Sequence, residues 1–147
     1  MSEVKIRAAT DADLPAVQRL LEAAALPGEG VGDFFPGNYV VATRGAEIVA
    51  AIGVENYGSH GLLRSAVVAD QLRGQGLGAE LTHERLDWSR QLGLEDIFLL
   101  TTTAASFFEK LGFARTDRGA VPPEVQQAPE FASICPSTAV VMRLALS

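Results

Sequence analysis

Gln71-Leu72-Arg73-Gly74-Gln75-Gly76-Leu77-Gly78 constrains this chain more than any other stretch, because of what flanks it. Before it, the apolar run from Leu62 to Ala69, with Val67 and Val68 adjacent, predicts a largely buried strand. After it, Leu77, Leu81, Trp88 and Leu92 recur near one face at helical spacing. A strand thus feeds a glycine-rich turn that opens a helix. Three glycines at alternate positions leave the main chain bare, so successive N–H groups can converge on an anion. The helix terminus adds donors with no partner inside the helix and the positive end of its dipole. Backbone groups alone then suffice to hold a phosphate.

The spacing excludes two familiar phosphate loops. A P-loop needs four residues between its glycines and then Lys-Ser/Thr. The dinucleotide fingerprint needs two residues in its second gap, where this chain has Leu77 alone. Nor does an acidic residue end the next strand at Leu99-Leu100.

Gln71, Gly74 and Gly76 do fit Gln/Arg-x-x-Gly-x-Gly/Ala, and in this setting the loop resembles the acyl-CoA pyrophosphate loop of the GNAT superfamily of N-acetyltransferases. A second motif follows a predicted buried strand from Leu94 to Leu100. The family's Asn-x-x-Ala-x-x-Phe-Tyr-x-x-x-Gly-Phe resembles Thr101 to Phe113 through Ala104, Phe107, Gly112 and Phe113. Thr101 stands where asparagine is usual, and Phe108 where tyrosine is usual. That tyrosine often protonates the departing CoA thiolate, and Phe108 has no proton to give. By themselves Phe107 and Phe108 read as core packing.

The resemblance implies an α/β chain, a single GNAT-type domain over residues 1–147. Its central sheet would be mixed, mostly antiparallel, splayed at the acyl-CoA site and flanked by helices. It implies acetyl-CoA as co-substrate. Ala66, Val67 and Val68 would line the pantetheine path, and Arg73, Gly74, Gln75, Gly76, Leu77 and Gly78 would hold the pyrophosphate. Thr101, Phe107 and Phe108 would complete the cofactor site. Counting back from Arg73, the backbone N–H that meets the tetrahedral oxyanion falls on Val68. That position, in the family, often lies at a bulge.

The 147 residues, 48% hydrophobic, suit one domain of ordinary size. A formal net charge of −6 argues against a nucleic-acid or anionic-membrane partner, while the loop supplies positive potential locally to an anionic cofactor. The single cysteine, Cys135, excludes an intrachain disulfide and fits a reducing compartment. Glu3, Lys5 and Arg7 interrupt the N-terminus, so no signal peptide or membrane span is expected, and a cytoplasmic location follows. Two histidines and one cysteine at no ligand spacing predict no metal. Edge strands and an apolar closing strand, Ala139 to Leu146, suggest a homodimer.

Elsewhere the pattern predicts a strand over Val4 to Ala8 and a helix capped by Thr10 with Asp13 at N3. Leu26 to Gly37, with four glycines and two prolines, predicts a loop, so the family's second helix must be short or absent. Tyr39 to Thr43 and Glu47 to Val54 predict a hairpin. A short helix is expected near Glu124 to Ala128.

Amine acetylation needs a base, an oxyanion partner and an acid for the thiolate. Glu55 is the first candidate base, against the alternative of a solvated glutamate at a strand end. Tyr57 is the replacement phenol, acting as acid or orienting substrate. His60 reads as a surface turn residue and His83 as a helix-surface residue. Arg64 interrupts an apolar strand, where a charge needs a partner. Its planar fork matches a carboxylate; an internal ion pair to Glu55 or Glu130 is the alternative. Leu63-Arg64-Ser65 resembles the corresponding strand of N-acetylglutamate synthase GNAT domains, where that arginine holds the amino-acid carboxylate. Val121-Pro122, Glu130-Phe131, Cys135-Pro136-Ser137 and Ala139 resemble the ArsN-type acetyltransferases found with arsenic-resistance genes. Cys135 itself reads as a small buried hydrophobe. The resulting expectation is an N-acetyltransferase for a small, glutamate-like amino acid or analogue. A non-catalytic CoA sensor and a protein N-terminal acetyltransferase are the alternatives.

Overall fold

The computed structural model describes residues 3–26, 31–128, 131 and 139–146. Among these, seven strands form one sheet: β1 (Val4–Ala8), β2 (Tyr39–Arg44), β3 (Glu47–Tyr57), β4 (His60–Val68), β5 (Asp96–Thr101), β6 (Ala114–Arg115) and β7 (Val140–Ala145). Their spatial order is β1-β2-β3-β4-β5-β7-β6. Every neighbouring pair is antiparallel except β4 and β5. The helices are α1 (Leu14–Ala23), α2 (Val31–Phe34), α3 (Leu77–Leu92), α4 (Ala105–Lys110) and α5 (Pro123–Gln126). The fold is the expected α/β arrangement, a mixed and mostly antiparallel sheet with helices against it.

Local chemistry accounts for the entry into α1. The Asp13 carboxylate accepts the Thr10 N–H at 2.8 Å, as the capping pattern requires, and both Arg7 Nη atoms at 2.7 and 3.0 Å. The Arg7 guanidinium holds the Asp13 carboxyl well below the usual carboxylate range, at about 2. Between α1 and β2 the family's second helix is reduced to the four residues of α2.

The core is split by the sheet. On one face, Val54, Leu63, Ile97 and Leu99 pack against Leu77, Leu81 and Leu86 of α3 and Phe108 of α4. The opposite face carries two separate clusters. Val17 and Leu21 of α1 cover Tyr39, Val41, Ala51 and Val67. Val125 of α5 covers Leu62, Phe98, Leu100 and Val141. In α3 the apolar stripe differs from expectation, because Leu92 is 50% exposed and polar residues are buried instead. Thr82 and Ser89 donate their hydroxyls to the Gly78 and Arg85 carbonyls one turn back, which satisfies them inside the core. Arg85 donates to the Asn38 carbonyl and lies 4.4 Å over the Trp88 ring.

Two irregularities shape the sheet's centre. β4 pairs with β5 only from His60 to Leu62, opposite Asp96 to Phe98, whereas β5 stays paired with β7 through Thr101. The two strands therefore part beyond Leu62 and Phe98, and this is the expected splay. Between β3 and β4, Ala51 faces Val67 and Gly53 faces Arg64. Two steps on β3 thus span three on β4, placing a bulge at Ser65 and Ala66.

Candidate active site

The glycine turn lies between the end of β4 and the start of α3. Gly74 and Gly76 have φ of 81° and 84°, the left-handed region that a side chain resists, and Gly76 is the N-cap of α3. Among the described residues, the N–H groups from Gly74 to Ala79 donate to no protein acceptor; the first return bond is from Glu80 N–H to the Gly76 carbonyl. Bare donors converge here with a helix terminus. Gly78 serves a different purpose from its two neighbours. It lies within α3, where a Cβ would sit 3.4 Å from Phe107 Cζ and 3.9 Å from Val68 Cγ2. Three elements come close at this point. Leu77 turns its side chain into the core, while Arg73 and Gln75 are exposed. Arg73 Nε donates to the Val68 carbonyl and its Nη1 meets Asp70, which braces the turn against the strand.

Along the open edge of β4 the bulge precedes Val68 rather than coinciding with it. Ser65 holds φ at 60°, a conformation that costs a non-glycine residue about 1–2 kcal/mol. Ala66 is exposed, Val67 buried and Val68 half-buried. The Ala69 N–H is engaged by the Val49 carbonyl, so antiparallel alternation turns the Val68 N–H away from β3. It points toward the side that β5 has left.

The face of the sheet covered by α1 and α5 carries the polar groups. Glu55 is fully buried within β3, which overturns the reading of a solvated glutamate at a strand end. The Tyr57 hydroxyl donates to its Oε1 at 2.6 Å, and Arg64 Nη1 donates to its Oε2 at 3.2 Å. Arg64 is itself 2% exposed. The ion pair to Glu55 considered for Arg64 is therefore present; Glu130 lies outside the described residues. The Phe34 ring meets the Tyr57 ring edge-on at 5.4 Å, placing α2 over this group.

Of the adjacent phenylalanines in α4, both of which read as core packing, one departs from that expectation. Phe107 is 38% exposed beside Gly78, whereas Phe108 is buried against Phe113. Core packing thus belongs to Phe108. Thr101 Oγ1 accepts the Ala104 N–H at 2.9 Å and shapes the approach to α4. His60 opens β4 instead of occupying a surface turn. Its Nδ1 lies 2.6 Å from Asp96, which also accepts Arg143 Nε at 2.9 Å. His83 is exposed on α3. Among the described residues, no three His, Cys, Asp or Glu side chains are grouped to hold a metal ion. A groove of about 690 Å³ between β1 and α3, lined by Arg7, Glu84 and Trp88, takes in none of the residues expected to bind or react. Cys135, Pro136 and Ser137 lie outside the described residues.

Sequence reasoning passed over Tyr39, Gly53 and Ser65, which come together beside Arg64. The Tyr39 hydroxyl lies 3.0 Å from Ser65 Oγ, and both residues are buried. Their separation in the chain left no local signal except a glycine within an apolar strand.

Comparison with known proteins agrees with this geometry. Residues 36–115, more than half of the chain, match the family model for the acetyltransferase (GNAT) domain. No curated protein matches the sequence significantly. Among solved structures, N-acetylglutamate synthase from Neisseria gonorrhoeae, complexed with coenzyme A and N-acetyl-glutamate, superposes with a TM-score of 0.83 at 17% identity. The match covers all of this chain and 36% of the synthase, so this chain spans about a third of its length. Rv2747 from Mycobacterium tuberculosis, in complex with CoA, gives 0.82 at 23% identity, covering 97% of this chain and 99% of that one. The ribosomal-protein-S18-alanine N-acetyltransferase from Escherichia coli gives 0.75 at 19%, covering 99% and 95%. With the splayed sheet and the glycine turn in place, and the family model matched across both, this chain belongs to the GNAT acetyltransferase family.

Proposed function

We propose that the chain is one acetyl-CoA-dependent N-acetyltransferase domain acting on the amine of a small amino acid or amino-acid analogue. The observation that carries this reading is the opening between β4 and β5, with unpartnered amides from Gly74 to Ala79 at its end. In it, the amides of Gly74, Gln75, Gly76, Leu77 and Gly78, with Arg73 beside them, bind the pyrophosphate. Ala66 to Val68 run along the pantetheine arm, and the exposed Phe107 ring covers it. Thr101 and Phe108 support that wall from behind.

Chemistry then needs a proton removed, a charge stabilised and a thiolate protonated. The amine nitrogen attacks the thioester carbonyl, the C–S bond breaks and CoA leaves as its thiol. The Val68 N–H meets the oxyanion, a contribution of about 3 kcal/mol to the barrier in a dry cleft. Glu55 accepts the amine proton, directly or through water, and Tyr57 protonates the thiolate that Phe108 cannot serve. Arg64 receives the acceptor's carboxylate and shares its guanidinium between that group and Glu55. The tail resemblance extends the acceptor class to arsenic- or phosphorus-bearing analogues of glutamate. We further propose a cytoplasmic homodimer. Among the described residues, β6 pairs with Met142 and Arg143 and Thr116 N–H reaches the Val141 carbonyl, which leaves the rest of that edge of β7 for a second copy.

A second reading is favoured by coverage, because the similar protein-acetylating enzyme is matched over 95% of its length and the synthase over 36%. CoA thiol release, followed with DTNB across amino acids, their decarboxylated amines and peptides with free N-termini, separates the readings. Turnover of acidic amino acids, with the simple amines poor, supports the proposal. Turnover of peptides alone transfers it to protein N-termini. Tight CoA binding without release from any acceptor makes the chain a sensor.

A further inference from the structure

We propose that Tyr39 and Ser65 form a clamp across three strands that sets the β4 bulge, and with it the direction of the N–H groups facing the acyl donor. The inference rests on the acetyltransferase reading for its catalytic consequence but not for its structural one.

Tyr39 on β2 faces Gly53 on β3, and Gly53 faces Arg64 on β4, the residue before the bulge. A Cβ on Gly53 would lie 2.4 Å from Tyr39 Cζ and within 2.6 Å of both Cε atoms. The phenol ring therefore lies flat across β3, in the space that only glycine leaves. Its hydroxyl reaches the next strand and sits 3.0 Å from Ser65 Oγ. The ring belongs to the buried cluster of Val17, Leu21, Val41, Ala51 and Val67, and the Phe35 ring lies 5.2 Å from it.

Ser65 is where the backbone leaves the ordinary strand region, with φ at 60°. Serine does not favour that conformation, so the surroundings must hold it. A buried hydroxyl also requires a partner, and the Tyr39–Ser65 contact satisfies both groups at once. Without it, the extra residue of the bulge is free to migrate along β4. A shift of one residue would exchange the two faces of Val67 and Val68 and turn the Val68 N–H back toward β3. Tyr39 is thus a positioning residue that acts through β4, remote from the cofactor loop.

Three variants test this: Tyr39→Phe, Ser65→Gly and the two combined. Tyr39→Phe removes one oxygen, so it should lower kcat about tenfold and leave KM for acetyl-CoA within about twofold, the size of one lost hydrogen bond. Glycine adopts a positive φ without support. The combined variant should therefore recover most of the kcat lost by Tyr39→Phe. Amide hydrogen exchange at Val67, whose N–H lies on the β3 side by the same alternation, should rise about tenfold in Tyr39→Phe, with exchange in α3 unchanged. Wild-type exchange in Tyr39→Phe overturns the clamp, as does a kcat that Ser65→Gly fails to rescue. If the wild type itself transfers acetyl to no acceptor, the functional reading falls, and the exchange comparison alone decides the clamp.

Discussion

The turn from Arg73 to Gly78 and the Tyr57–Glu55–Arg64 group lie in one sheet but are built on opposite principles. The turn presents main-chain N–H groups, and its side chains are exposed or turned into the core. Backbone conformation restricts residue identity there at Gly74 and Gly76, where φ is positive. The second region presents side chains, and Tyr57 and Arg64 both bond to Glu55 on a buried face. A backbone site tolerates drift in everything but its glycines. In a buried charge network each member depends on the others. The difference predicts distinct failures: loss of binding with the fold intact for the first, loss of stability together with turnover for the second.

The largest effect should come from Glu55→Ala. Removing one member of a buried ion pair takes from Arg64 its Glu55 counter-charge and costs about 3–5 kcal/mol. Urea denaturation measures this. Glu55→Ala combined with Arg64→Met should regain a large part of it, and a loss below about 1 kcal/mol would show the pair to be solvated in solution. Next, Gly76→Val should weaken CoA binding by more than about 10²-fold, read by calorimetry. A Cβ there meets nothing within 4 Å, so stability should fall only by the conformational cost of about 1–2 kcal/mol. Unchanged affinity would detach the turn from the cofactor.

Tyr57→Phe follows, with kcat reduced about 10²-fold and KM for the acceptor little altered. Equal turnover by the variant would leave Tyr57 as no more than a support for Glu55. The smallest effect lies away from both regions. Asp13 titrates near 2 in the folded chain, below its unfolded value of 3.8, because Arg7 bonds to it. Its contribution is complete above about pH 4 and is lost as pH falls toward 2. With Arg7 half-exposed, that contribution is about 1–2 kcal/mol. Acid unfolding of Asp13→Asn should lack this component, and an identical acid transition would remove Asp13 from the account.

The glycine turn was legible because its requirements are local. Alternate glycines, an apolar strand before them and a helical period after them all fall within one short stretch. The capping box on the 3₁₀ turn Asp11–Asp13 that leads into α1 was legible for the same reason, since Thr10 and Asp13 are three residues apart. The hairpin of β2 and β3 was also visible, although β3 runs on to Tyr57 and carries Glu55 inside the sheet instead of at its end. The α3 stripe was legible only in part. Thr82 and Ser89 could be buried because they bond back to their own helix, which no hydrophobic period records.

The sequence by itself determined the strand–turn–helix unit, the order of the elements and the residue types available for proton transfer. Those follow from φ preferences, capping and hydrophobic period, which act over a few positions. Only the tertiary structure decided which residues meet. Register across β3 and β4 brings Arg64 to Glu55 over nine positions, and register across β2, β3 and β4 brings Tyr39 to Ser65 over 26. It also decided that Phe107 stays exposed while Phe108 enters the core, since two neighbours on one short helix are separated only by the surface it packs against. Side-chain partnership depends on pairing between strands, and pairing is a property of the whole sheet.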